Sequence, residues 1–115
     1  MRVGMEHYPA AQAILEHALE GVATCSHMSK EAIDKAADGT AMAAWNEEGW
    51  GPEHSCTVLA KLPNKEWVVV NESEDTSGHG CMCDGNIAFF VTEEDAVQMG
   101  LDRDQRQEYL KHQKK

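Results

Sequence analysis

His54–Leu62 reads HSCTVLAKL, Pro63–Lys65 reads PNK, and Glu66–Ser73 reads EWVVVNES; this stretch decides the fold class. In the first run Cys56, Val58, Ala60 and Leu62 fall at every second position, so they share one face of an extended strand. PNK makes a turn and EWVVVNES continues as a second strand, which together predict a β-hairpin. A polar loop, EDTSGHGCMCDG, leads to NIAFFV, a third strand apolar throughout and expected to be covered on both sides.

Upstream of this sheet the period changes to that of a helix. Ala11, Ile14, Leu15, Ala18, Leu19 and Val22 fall on one face of a helix starting near Pro9 and ending near Ala23. Ser29 suits the N-cap of a second helix, with Glu31 complementing its dipole. Ile33, Ala36, Ala37, Thr40, Ala41, Ala44 and Trp45 then read as its apolar stripe, with Gly39 marking a close helix approach. EEGWGPE punctuates the end of this half.

Downstream, Thr92 and Asp95 match a capping box, and Gly100 followed by Leu101 matches a helix C-terminus. A last helix is expected from about Asp102 to His112. The expected architecture is α+β: two N-terminal helices, a three-stranded antiparallel sheet, and one or two short C-terminal helices. At 115 residues, 42% of them hydrophobic, residues 1–115 fit one domain, helical over 1–50 and sheet plus C-terminal helix over 51–115.

The net charge of −10 argues against direct binding to nucleic acid or an anionic membrane, since phosphate contacts need clustered Lys and Arg. Residues 1–50, 51–100 and 101–115 carry −5, −7 and +2, so only the final segment is basic. The charge fits a partner protein with a basic surface, including a nucleic-acid-binding groove that an acidic protein occupies as a decoy; simple solubility is the blander explanation. No apolar run reaches the length of a membrane span, and the charged stretch MRVGMEHYP lacks the apolar run of a signal peptide, so a cytoplasmic location is expected.

One constellation suggests chemistry. His79, Cys81 and Cys83 lie within HGCMC, and His54 and Cys56 open the first strand. Thiolate and imidazole ligands suit zinc, and the hairpin puts Cys56 near Glu72, at the end from which the HGCMC loop departs. Against this, Cys-x-Cys is a weaker signal than Cys-x-x-Cys, and Cys56 packs equally well as a small buried residue. A redox role for Cys81 and Cys83 fits less well, because the pair precedes a strand rather than a helix. Cys25 and His27 read as a helix-ending loop. Glu72, Glu74 and Asp75 read as a solvated acidic patch beside the loop, able to serve a partner, a hard metal ion or acid–base work with His79. Trp45 and Trp67 are expected in the core, and Trp50 is either a partner anchor or buried. Phosphate-cradling, nucleophile-elbow and zinc-protease motifs are missing, so an enzyme is the minority reading.

The run WVVVNESEDTSGHGCMCDGNIAFF followed by TEEDAVQMGL resembles small uncharacterised accessory proteins of actinobacterial phages and mobile elements. The shared pattern is a strand, an acidic Ser-Gly loop with cysteine, a further strand, and an acid-capped helix ending in Gly-Leu. The resemblance covers the C-terminal half and implies no catalytic residues. It implies a protein that acts by binding a host factor. The expectation is therefore a non-enzymatic binding protein that modulates or inhibits a host protein, with a small zinc module and a small enzyme as alternatives.

Overall fold

The computed structural model describes residues 5–25, 28–48, 54–75 and 82–113. Two helices, α1 (Ala10–Cys25) and α2 (Lys30–Ala37), precede four strands, β1 (Thr40–Glu48), β2 (His54–Lys61), β3 (Trp67–Asp75) and β4 (Met82–Phe90). A helical turn, α3 (Glu93–Asp95), widens into a π-helical turn over Ala96–Gly100, and α4 (Arg103–Gln113) follows. The strands form one antiparallel meander in the order β1-β2-β3-β4. The α+β class and the helices at either end are as expected; the sheet has one strand more.

The extra strand replaces the second half of the expected second helix. α2 starts as read, with Ala32 N donating to Ser29 Oγ, but it ends at Ala37, where Asp38 and Gly39 amides close the last turn onto Lys35 and Ala36 carbonyls. Thr40–Trp45 then runs as β1 against β2. Alanine favours helix, but small residues also let α1 sit close on a sheet, and the packing overrides propensity. The helical spacing of 41, 44 and 45 is produced by a bulge: Ala41 pairs with Ala60 and Ala43 with Leu59, leaving Met42 as the extra residue. Beyond it, Ala44 joins the cluster under α1 and Trp45 the opposite one.

The hairpin holds. Cys56 pairs with Glu72, and the turn at Pro63–Glu66 closes with Leu62 N to Glu66 O at 2.8 Å and Lys65 in the left-handed region at φ 74°. Lys35 of α2 meets Glu66 at 3.1 Å and, with Asn64, holds its carboxyl below the usual range. β4 begins at Met82, so Cys83 lies in a strand and not in the loop. It is an edge strand, with Ala88, Phe89 and Phe90 only half-buried, because the meander ends there. The expectation of cover on both sides is corrected accordingly.

Helices cover both faces of the sheet. On one, Leu15, Ala18, Leu19 and Val22 of α1 pack with Val58, Val68, Val70 and Ile87. On the other, Val97, Leu101 and Tyr109 pack with Trp45, Leu59, Trp67 and Val69. The Thr92 half of the capping box is made, with Asp95 N donating to Thr92 Oγ1 at 3.1 Å. Among the described residues no helix is long and apolar enough to cross a membrane.

Candidate functional site

α1 lies along the sheet, and two contacts fix its direction. Near its start, Gln12 accepts from Ala41 N at 2.8 Å and donates to Gly39 O at 3.3 Å, at the level of the Ala41–Ala60–Val68 row. Nearer its end, Gly21 sits on Glu72 and Val22 on Gly85, in the Asn46–Cys56–Glu72–Gly85 row. A Cβ at Gly85 would stand 2.7 Å from Val22 Cγ2 and 3.1 Å from Val22 Cα, so helix and strand approach as closely as backbones allow. A Cβ at Gly21 would stand 2.7 Å from Glu72 Cδ, so this helical glycine makes room for the carboxylate beneath it.

Glu72 is therefore no solvated loop acid. It is 2% exposed, and its Oε2 lies 3.9 Å from Cys56 Sγ, an equally buried thiol. Burial removes Glu72 from any exposed partner-binding face. Two register positions further out, past Glu47–Ser55–Ser73–Asp84, is the row Glu48–His54–Glu74–Cys83, with Asp75 opposite Met82. The structure thus brings His54, Glu74 and Cys83 to neighbouring backbone positions and leaves Cys56 two register positions further in. Trp50, His79 and Cys81 lie outside the described residues. Among the described residues, no group of three or more His, Cys, Asp or Glu gathers that could hold a metal ion.

The opposite face of the same end is polar. Thr57 Oγ1 donates to Asn71 Oδ1 at 2.8 Å, and a depression of about 250 Å³ opens beside them, lined in part by Ser55, Asn71, Ser73 and Asn86. It offers hydroxyls and amides, and none of its lining residues is Lys or Arg.

A third feature was not among the expected site residues. Val91 and Met99 are 74% and 76% exposed, and they flank Phe90 and Gly100, which touch. Glu93, Glu94, Asp95, Asp102 and Asp104 are all exposed in the same segment, against a single base, Arg103. The segment is pinned from below: a Cβ at Gly100 would stand 2.5 Å from Val69 Cγ2, and Tyr109 OH donates to Glu93 Oε2 at 2.6 Å. The signal was present in the sequence as TEED and DRD around Met99, but TEED reads first as a helix cap and DRD as the start of the last helix.

Burial first, then the bond to Glu93 and its charge, push the Tyr109 hydroxyl above the usual tyrosine range. A tyrosine whose folded pKa is raised contributes stability that is fully present below its unfolded value of about 10 and is lost as pH climbs through the folded one. Alkaline unfolding followed by circular dichroism should therefore show stability falling from about pH 10 upward. Tyr109→Phe should be less stable at neutral pH and should flatten that alkaline slope. An unchanged slope would mean that Tyr109 does not govern it.

No family model, curated protein or solved structure matches this chain.

Proposed function

We propose that this chain is a non-enzymatic acidic binding protein that docks on a basic surface of a host protein through residues 91–104. The observation that carries the reading is the composition of that segment, two largely exposed apolar side chains set among five exposed carboxylates. Apolar side chains supply affinity once desolvated, and the surrounding acids steer a basic partner and fix its register. The net charge of −10 extends the same field over the molecule. The resemblance of the C-terminal half to phage and mobile-element accessory proteins makes the partner a host factor in a bacterial cytoplasm. A nucleic-acid-binding or defence protein has the basic groove such a surface would occupy, which the partner's DNA or RNA then cannot enter.

The rigid footing of the segment matters to this reading. Gly100 against Val69 and Tyr109 against Glu93 hold it in one shape, which lowers the ordering cost of association. The test is capture of a partner from host lysate on the immobilised protein, beside a Glu94→Lys, Asp95→Lys, Met99→Ser variant. All three side chains are exposed, so the variant should melt like the parent while binding the partner about tenfold or more weaker. Equal binding by the two would contradict the assignment of this face.

A further inference from the structure

We propose that β4 is a self-association edge, along which a second copy of this chain adds its own β4 antiparallel and the two sheets become continuous. The inference is independent of the partner-binding reading, since it rests on Ile87–Phe89 and not on residues 91–104. The ladder shows which backbone groups face outward. At the β2–β3 turn Leu62 N donates to Glu66 O at 2.8 Å, so Leu62 and Glu66 are a hydrogen-bonded pair. Bonded and non-bonded pairs alternate along an antiparallel ladder, so Val68 and Val70 bond β2 while Trp67, Val69 and Asn71 bond β4. Phe90, Ala88 and Asn86 thereby spend their amides and carbonyls on β3, and those of Ile87 and Phe89 point away from it. The far edge obeys the same alternation. It turns Ala44 outward, and there Glu6 N donates to Ala44 O at 2.8 Å and Ala44 N to Glu6 O at 3.0 Å.

The two edges are not alike. β1 is guarded by the Glu6 bridge and bent by the Met42 bulge, two devices that keep strands from adding to an edge. β4 pairs with β3 in unbroken register from Met82 to Phe90, and Gly85–Val91 holds no charge and no proline. Among the described residues nothing takes the outward groups of Ile87 and Phe89. Their side chains anchor the strand, Ile87 in the cluster under α1 and Phe89 packed against it. Charge selects a second copy as the occupant. A chain of net charge −10 repels itself wherever its acids face one another, and this strip of edge is uncharged. Lys35, over the Phe89 ring at 4.5 Å, is already paired with Glu66 at 3.1 Å. The spacing of the outward groups fixes the register. With a two-fold axis at Ala88, Ile87 of each copy lies opposite Phe89 of the other, and each pair exchanges both of its hydrogen bonds. Ala88 then faces itself in the closer, non-bonded position, where a methyl group fits.

Sedimentation velocity of the full-length, reduced protein over a dilution series from about 500 to about 1 µM spans the affinities of an interface at the small end of specific contacts. A dimer that dissociates on dilution is expected. Ala88→Lys and Ala88→Glu each set like charges against one another across the axis, and each alone should weaken association about tenfold or more. Mixed in equal amounts the two variants should associate again, because Lys then faces Glu. Loss of folding in either variant gives no such rescue, and melting curves check that both fold. Hydrogen exchange needs no variant: the amides of Ile87 and Phe89 should exchange about tenfold or more slower at the concentrated end of the series. A monomer at every concentration, single variants that dimerise as the parent does, or amides of Ile87 and Phe89 whose exchange ignores concentration would overturn the proposal. Protection of those amides that arises only on adding the captured basic partner would give the edge to that partner and overturn it equally.

Discussion

Replacing Trp45 with alanine is expected to lower the unfolding free energy by about 3–5 kcal/mol, the range for deleting a large buried aromatic. Trp45 is fully buried in β1, where it packs with Leu59, Val97, Leu101 and Tyr109. Its indole N–H also donates to Glu108 Oε1 at 2.8 Å, which ties the first strand to the last helix. Both contributions vanish in Trp45→Ala. Trp45→Phe keeps most of the ring contact and should cost less, about 1–2 kcal/mol for the lost hydrogen bond and residual volume. Domains of this kind hold a margin of about 5–15 kcal/mol, so the alanine variant should sit close to unfolding. Urea titration checks this: the midpoint should fall strongly for alanine and modestly for phenylalanine, with the slope unchanged. Equal losses in the two would mean that ring packing does not hold the C-terminal layer to the sheet.

The second large effect is expected at Gly85. Its missing side chain lets α1 rest on β4, and the nearest obstruction includes Val22 Cα, which cannot rotate aside. Gly85→Val should therefore push the helix off the strand and cost about 2–3 kcal/mol or more, at the upper end of overpacking. Val22→Ala removes the nearest methyl but leaves the backbone contact, so it should rescue the valine variant only in part. Full rescue would show that side-chain crowding alone sets the approach.

How much of this was legible in the residues follows from the range of the forces involved. The β2–β3 hairpin was, because alternation, turn and partner strand are all local, and the Cys56–Glu72 pairing followed from where the turn fell. Ser29 and Thr92 as caps were equally local. β1 was not, because its bulge at Met42 gives Ala41, Ala44 and Trp45 a helical spacing, and a strand with an irregular step imitates a helix. The burial of Glu72 was hidden as well. A carboxylate followed by SED reads as solvated, and only the passage of Gly21 over it shows otherwise. Val91 and Met99 stand out only because the sheet leaves them uncovered.

The claim on which the functional account turns is that an acidic face steers this protein onto a basic partner, and it is tested most directly by the affinity of the captured complex as a function of salt. Raising potassium chloride from about 50 to about 300 mM shortens the screening length to well under 10 Å, and affinity should fall by about tenfold or more, chiefly through slower association. Affinity that stays constant across that range would contradict the account.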